Sequence, residues 1–123
     1  MNVSVETIEG VWPTVKAGGE IDLSNTDELR SALDGVMGRS AKGFVIDLVD
    51  ITYIDSAGVA VVVSAYRRLS KAGGVLAVVR PASSAVRRVL DLIGLQTLPG
   101  IVVAEDSQAA QEELSARAPK PGI

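Results

Sequence analysis

The sequence predicts an α/β domain built on one mixed, mostly parallel sheet with an N-terminal hairpin, and three observations carry that prediction. Residues 44–48, Val75–Val79 and Ile101–Ala104 are short apolar runs rich in β-branched residues, as strands covered on both faces are. Segments with an apolar period near 3.6 follow each of them. Ahead of these, Val3–Ile8 alternates apolar and polar residues, and after Glu9-Gly10 residues 11–17 can return beside it as a second strand. Two strands followed by alternating helix and strand imply β-α-β crossovers in a single sheet.

Each element has local support. Pro13 lies inside the returning run and would remove a ladder donor, which places that stretch near an edge or a bulge, and Trp12 reads as a ring covering one side of the core. Gly18-Gly19 leads to Glu20-Ile21-Asp22-Leu23, where a strand ends. Ser24-Asn25-Thr26-Asp27-Glu28 then opens a helix with Leu29, Ala32, Leu33, Val36 and Met37 on one face and Gly38 as its stop. After the strand at 44–48, an irregular connection leads to a helix from Ala57 to about Lys71. Its face is Val59, Val62, Val63, Tyr66 and Leu69, and Gly73-Gly74 ends it. Arg67, Arg68 and Lys71 suit the negative end of its dipole. Ser83 or Ser84 caps a third helix presenting Val86, Val89, Leu90 and Ile93, closed by Gly94. Asp106-Ser107 opens a fourth, with Ala109, Ala110 and Leu114 available for docking. No repeat or linker divides the chain, so one domain over 1–117 with a disordered tail at 118–123 is expected.

Composition removes several kinds of function. Twelve basic against fifteen acidic residues, a net charge of -3, lack the basicity that phosphate-backbone binding uses, so direct nucleic-acid binding is not expected. No run approaches the ~20 apolar residues of a membrane span, and the N-terminus has no basic region followed by an apolar core, which makes a cytoplasmic location the expectation. With no cysteine and no histidine there is neither thiolate chemistry nor a Ser-His-Asp triad. Ile54 stands where a G-x-S-x-G elbow needs glycine, and no glycine-rich nucleotide loop is present. Asp47, Asp50 and Asp55 do not have the spacing of an EF-hand loop and read as solvated strand ends. A phospho-aspartate receiver would need an adjacent acidic pair after an early strand and a lysine ending a late one, and both are missing. No cofactor is called for.

What is left is Asp55-Ser56, at the join where a helix begins. Either residue can be the N-cap, and a hydroxyl there points outward. If the strand at 44–48 runs parallel to the one ending at Leu23, their carboxyl-end loops share one sheet edge and Asp22 and Ser24 approach Ser56.

Three groups of residues, in this order and spacing, resemble the STAS domains and among them the bacterial anti-sigma factor antagonists. They are Gly19-Glu20-Ile21-Asp22-Leu23-Ser24, then Phe44-Val45-Ile46-Asp47-Leu48 through Ile54-Asp55-Ser56-Ala57-Gly58, then Ala72-Gly73-Gly74 and Ala85-Val86-Arg87-Arg88-Val89-Leu90 through Gly94-Leu95. The resemblance covers most of the chain. It implies a non-enzymatic switch whose hydroxyl residue after the aspartate, here Ser56, is phosphorylated by a partner that is both anti-sigma factor and serine kinase. A serine phosphatase would reset it. Unphosphorylated, it would bind that kinase and free a sigma factor. The implied partner-binding residues are Asp22, Ser24, Asn25, Asp55, Ala57, Gly58 and Val59, in a monomer or weak dimer. Ala57 stands where many relatives carry a second serine. Gly58 and Ala57 would let a partner approach the helix start closely. The resemblance also allows another role, as a scaffold or accessory subunit of stress-sensing or transport assemblies. Asp55-Ser56 and the lack of a membrane segment favour the switch. A phosphate at a helix start is favoured by about 0.3 to 1 kcal/mol, so it is not expected to melt the helix.

Overall fold

The computed structural model describes residues 2–39 and 42–119. Its elements are β1 (Val3–Ile8), β2 (Thr14–Ile21), α1 (Thr26–Arg39), β3 (Gly43–Ile54), α2 (Ser56–Lys71), β4 (Val75–Val79), α3 (Ser84–Leu92), a 3-10 turn (Leu95–Thr97), β5 (Ile101–Ala104) and α4 (Ser107–Arg117). The five strands lie in sequence order in one sheet, antiparallel between β1 and β2 and parallel thereafter. The predicted mixed sheet and hairpin are therefore present.

Strand alternation divides the core into two layers. Phe44, Ile46 and Leu48 face a large cluster built with Leu29, Leu33 and Val36 of α1, Val62, Ala65 and Leu69 of α2, and Val86 and Leu90 of α3. Val45, Ala77, Val79 and Val102 face the other way and meet Trp12 with Ala110 and Leu114 of α4. Trp12 is buried, as expected of a core cover, and its indole N–H donates to Ser115 Oγ at 3.0 Å. Ala118, assigned to the tail, still packs on this second cluster and its N–H donates to the Leu114 carbonyl. Residues 120–123 of that tail lie outside the described residues.

The structure corrects several boundaries. β2 starts at Thr14, after Pro13 and not around it, and the Pro13 carbonyl accepts from Val45 N–H at 2.9 Å. It then runs on through Gly18-Gly19 with two register shifts against β3. Gly19 takes φ +86°, and a side chain there would run into the Asn2 carbonyl. Residues 49–54, read as an irregular connection, continue β3 to Ile54. β4 pairs only with residues 43–47, so the later half of β3 has a strand neighbour on one side, β2, and carries exposed Thr52 and Tyr53 between buried Ile51 and Ile54. α1 continues through Gly38 to Arg39. On α3, Val86 and Leu90 are buried while Val89 and Ile93 face solvent, because the helix presents a narrower apolar face to the sheet than its sequence offers.

The end of α2 follows the glycine signal closely. Gly73 has φ +80°, its N–H donates to Ser70 O, and Gly74 N–H donates to Leu69 O, which together form a Schellman motif.

Candidate functional site

The site is built where β2 and β3 end side by side. Their last register pair is Ile21 with Ile54, and Asp55 N–H donates to the Ile21 carbonyl at 3.2 Å. The parallel pairing inferred from sequence is present, so the loop beginning at Asp22 and the helix beginning at Ser56 leave the sheet from adjoining positions.

Asp55 is the N-cap of α2. Its backbone is extended, and its Oδ1 accepts from Ala57 N–H at 3.0 Å and Gly58 N–H at 3.2 Å. Ser56 is the first helical residue, exposed, and among the described residues its hydroxyl has no hydrogen-bond partner. The cap has a chemical consequence. The two N–H groups that an anion at this helix start would use already serve Asp55, so a phosphate on Ser56 faces outward beside a carboxylate instead of settling onto the helix end. Asp55 therefore already takes part of the dipole benefit expected from sequence.

The neighbouring loop is an Asx-type turn folded on itself. Asp22 Oδ1 accepts from Ser24 N–H at 2.8 Å and from the Ser24 hydroxyl at 2.5 Å. Asn25 Oδ1 accepts from Asp22 N–H at 3.0 Å, and its Nδ2 donates to the Glu20 carbonyl at 2.9 Å. The Ser24 hydroxyl beside Asp22 holds its carboxyl below the usual carboxylate range against desolvation, which raises it, and the Ser24 and Asn25 backbone N–H groups add to the lowering. Asp22 therefore stays anionic at neutral pH.

Two predicted site residues face inward. Gly58 is buried, and a Cβ there would lie 2.7 Å from both Ile21 Cγ2 and Ile54 Cγ1. Its smallness lets α2 seat on the sheet and does not open the surface to a partner, which corrects that assignment. Asn25 is buried as well and staples the loop to β2. Asp22, Ser24, Asp55, Ala57 and Val59 are at least partly accessible around exposed Ser56.

Sequence reasoning passed over two residues beside this surface. Leu23 is 79% exposed at the tip of the Asp22 loop, and Tyr53 is 44% exposed at the end of β3. The available signal was an apolar residue inside a cap-forming segment, where no helix or strand period buries it.

The three aspartates weighed as cation ligands have separate duties. Asp47 is buried, not solvated, and accepts from Val49 N–H at 3.0 Å. Asp50 pairs with Lys16 at 3.4 Å, and Asp55 caps α2. Among the described residues no cluster of acidic side chains could hold a metal ion, and no helix is long and apolar enough to cross a membrane.

Comparison with known proteins adds a family. The family model described as STAS domain matches residues 2–110. The anti-sigma F factor antagonist of Paenibacillus polymyxa is 29% identical over 96 residues, covering 77% of this chain and 80% of that protein. An anti-sigma factor antagonist from Mycobacterium paratuberculosis superposes with a TM-score of 0.80 at 26% identity, covering 93% of this chain and 95% of the other. The phosphorylated form of the Bacillus cell fate determinant SpoIIAA superposes with a TM-score of 0.66 at 19% identity, over 91% and 99% of the two chains, a likeness of fold.

Proposed function

The chain belongs to the STAS domain family, and from that premise we propose that it is an anti-sigma factor antagonist switched by phosphorylation at Ser56. Unphosphorylated, it binds a kinase-type anti-sigma factor in the cytoplasm and so frees a sigma factor; phosphorylated by that same partner, it is released, and a serine phosphatase returns it to the binding state. It acts as a binding module and phosphate acceptor, not as an enzyme. Residues 1–117 form the working unit.

The observation that carries this reading is the Ser56 hydroxyl, exposed at the first position of α2, without a hydrogen-bond partner among the described residues, and flanked by the carboxylates of Asp55 and, across the strand ends, the Asp22 loop. Asp22, Ser24, Asp55, Ala57 and Val59 form the surface around it, and Leu23 and Tyr53 supply apolar contact at its margin. Phosphorylation adds about -1.5 to -2 charges at pH 7 to an edge that is already acidic. With the Ala57 and Gly58 N–H groups already bonded to Asp55, that charge is expressed at the partner interface. Like-charge contact there costs several kcal/mol, and at about 1.4 kcal/mol per tenfold this amounts to a hundredfold or greater loss of affinity. The named relatives, themselves anti-sigma factor antagonists, support the assignment of the partner class.

Incubation with ATP and the kinase-type anti-sigma factors of the same genome, followed by intact-mass measurement and peptide mapping, tests this. One phosphate on Ser56, absent from Ser56→Ala and weakening the complex, is the expected result. No phosphate with any candidate, together with binding indifferent to Ser56→Glu, would point to a scaffold or accessory subunit instead.

A further inference from the structure

The outward face of α2 is polarised along its length. Ser56, Ala60, Ser64, Arg67 and Lys71 are exposed, and with half-buried Val63 they line an open groove that runs the length of the helix. At its N-terminal end stands the Asp55 carboxylate, with the Asp22 loop adjoining. At its C-terminal end Arg67 and Lys71 have no ion-pair partner among the described residues, whereas neighbouring Arg68 is held by Asp34. Acid and base are thus placed at opposite ends, roughly 22 Å apart at 1.5 Å per residue. The arrangement is also symmetric in sequence. Positions 56 and 71, 60 and 67, and 63 and 64 are equidistant from the same midpoint.

We propose that this face docks a second copy of the chain, α2 against α2, antiparallel about a two-fold axis between Val63 and Ser64. In such an isologous contact each residue meets its mirror position. Lys71 of each copy then faces Ser56 of the partner subunit, and Arg67 crosses Ala60 of the partner subunit one turn from that serine. Ala60 and Ser64 near the axis are short enough for the helices to approach to about 8 to 10 Å. A parallel pairing would instead set acid on acid and base on base, which is repulsive.

A contact between two single helices buries less than the ~1,200 Å² at which stable interfaces begin, so unmodified copies associate weakly. A phosphate on Ser56 changes this balance by presenting its charge and three acceptor oxygens to Arg67 and Lys71 of the partner subunit. The modification that drives off the kinase thus favours self-association, which covers the phosphoserine. This second half rests on Ser56 being the phosphate acceptor, as proposed above.

The test installs phosphoserine genetically at position 56 and follows self-association by sedimentation velocity from micromolar to millimolar concentration. A monomer–dimer equilibrium at least about tenfold tighter than that of the unmodified chain is expected, weakened by salt and abolished in Arg67→Glu/Lys71→Glu. Both of those side chains are exposed, and circular dichroism checks that the fold is retained. Because the chain has no cysteine, Ser64→Cys near the axis should form an intermolecular disulfide on oxidation faster than Gln108→Cys on α4. Monomers in both phosphoforms, a dimer indifferent to the double reversal, or cross-linking no faster at 64 than at 108 would each overturn the proposal. Since the phosphate is installed without a kinase, none of these failures bears on whether a kinase acts at Ser56.

Discussion

The N–H of Asp55 donates to the carbonyl of Ile21 at 3.2 Å, one step beyond the last register pair of β2 and β3. This bond ties two loops of different sequence origin into one edge. The turn that holds Asp22 anionic and the helix that displays Ser56 cannot move independently without breaking it, and the same strand ends supply the bed on which the first turn of α2 rests.

Gly58 is the fit between that bed and the helix. A Cβ at position 58 would come within 2.7 Å of Ile21 Cγ2 and Ile54 Cγ1. Alanine gains about 1 kcal/mol of helix propensity over glycine, while overpacking costs about 1 to 3 kcal/mol. Both neighbours are β-branched residues with little rotamer freedom, so the clash outweighs the propensity. Gly58→Ala should lower the urea midpoint, and Gly58→Val should lower it further. An unchanged or raised midpoint for alanine would mean that α2 is not seated this closely.

Asp55 combines a cap and a charge, and the two separate by substitution. Asp55→Ala removes the acceptor for Ala57 and Gly58 N–H and should destabilise by about 1 kcal/mol. Asp55→Asn keeps an oxygen in place and should retain most of the stability, while removing the carboxylate beside Ser56. Thermal melts of the two variants beside binding of a kinase-type anti-sigma factor distinguish these roles: a loss of binding in Asp55→Asn without loss of stability assigns the charge to recognition.

The residues that carried the sequence reading are those whose local chemistry has one solution. Gly73-Gly74 after an apolar helix, Asp106 before one, and the short β-branched runs each specify their structure within a few positions, and all were legible. The later half of β3 was not, because Asp50, Thr52 and Tyr53 break the apolar run that marks a buried strand. Their exposure follows from β4 ending at Val79, a tertiary fact. The inward turn of Gly58 and Asn25 was hidden for a related reason. Which side of a cap meets the sheet depends on the register of β2 against β3, and that register includes two shifts no local pattern announces.

The turn at Asp22 has a pH signature. Its carboxyl is held below the ordinary range chiefly by the Ser24 hydroxyl, so the turn favours the ionised form. A depressed carboxyl contributes stability that is present above the unfolded value of about 3.9 and is lost as pH falls through the lower folded value. Ser24→Ala should raise the Asp22 pKa toward the ordinary value, read by carbon-detected NMR titration of its carboxyl. The variant should also soften the acid limb of stability without altering the melting temperature measured at fixed pH above the carboxylate range by more than its lost hydrogen bond. An Asp22 titration identical in the two proteins would show that the hydroxyl does not donate to it in solution.

α4 closes the second face of the sheet through one residue far away in sequence. Trp12 is buried against Ala110 and Leu114, donates its backbone N–H to Gln111 Oε1 at 3.1 Å, and accepts from Gln111 Nε2 at 2.7 Å through its carbonyl. Both chain ends of the domain therefore share one packing unit, so α4 should unfold with the sheet and not ahead of it. Leu114→Ala should cost about 2 to 5 kcal/mol, as large-to-small changes in a filled core do. Trp12 is the single tryptophan, so its emission reports this packing unit of α4 and the sheet. In wild type and variant the shift of Trp12 emission to longer wavelength should coincide with loss of the far-ultraviolet dichroism signal. Emission that shifts at lower denaturant than the dichroism would mean that α4 peels from a sheet still folded, and would move the boundary of the cooperative domain to the end of β5.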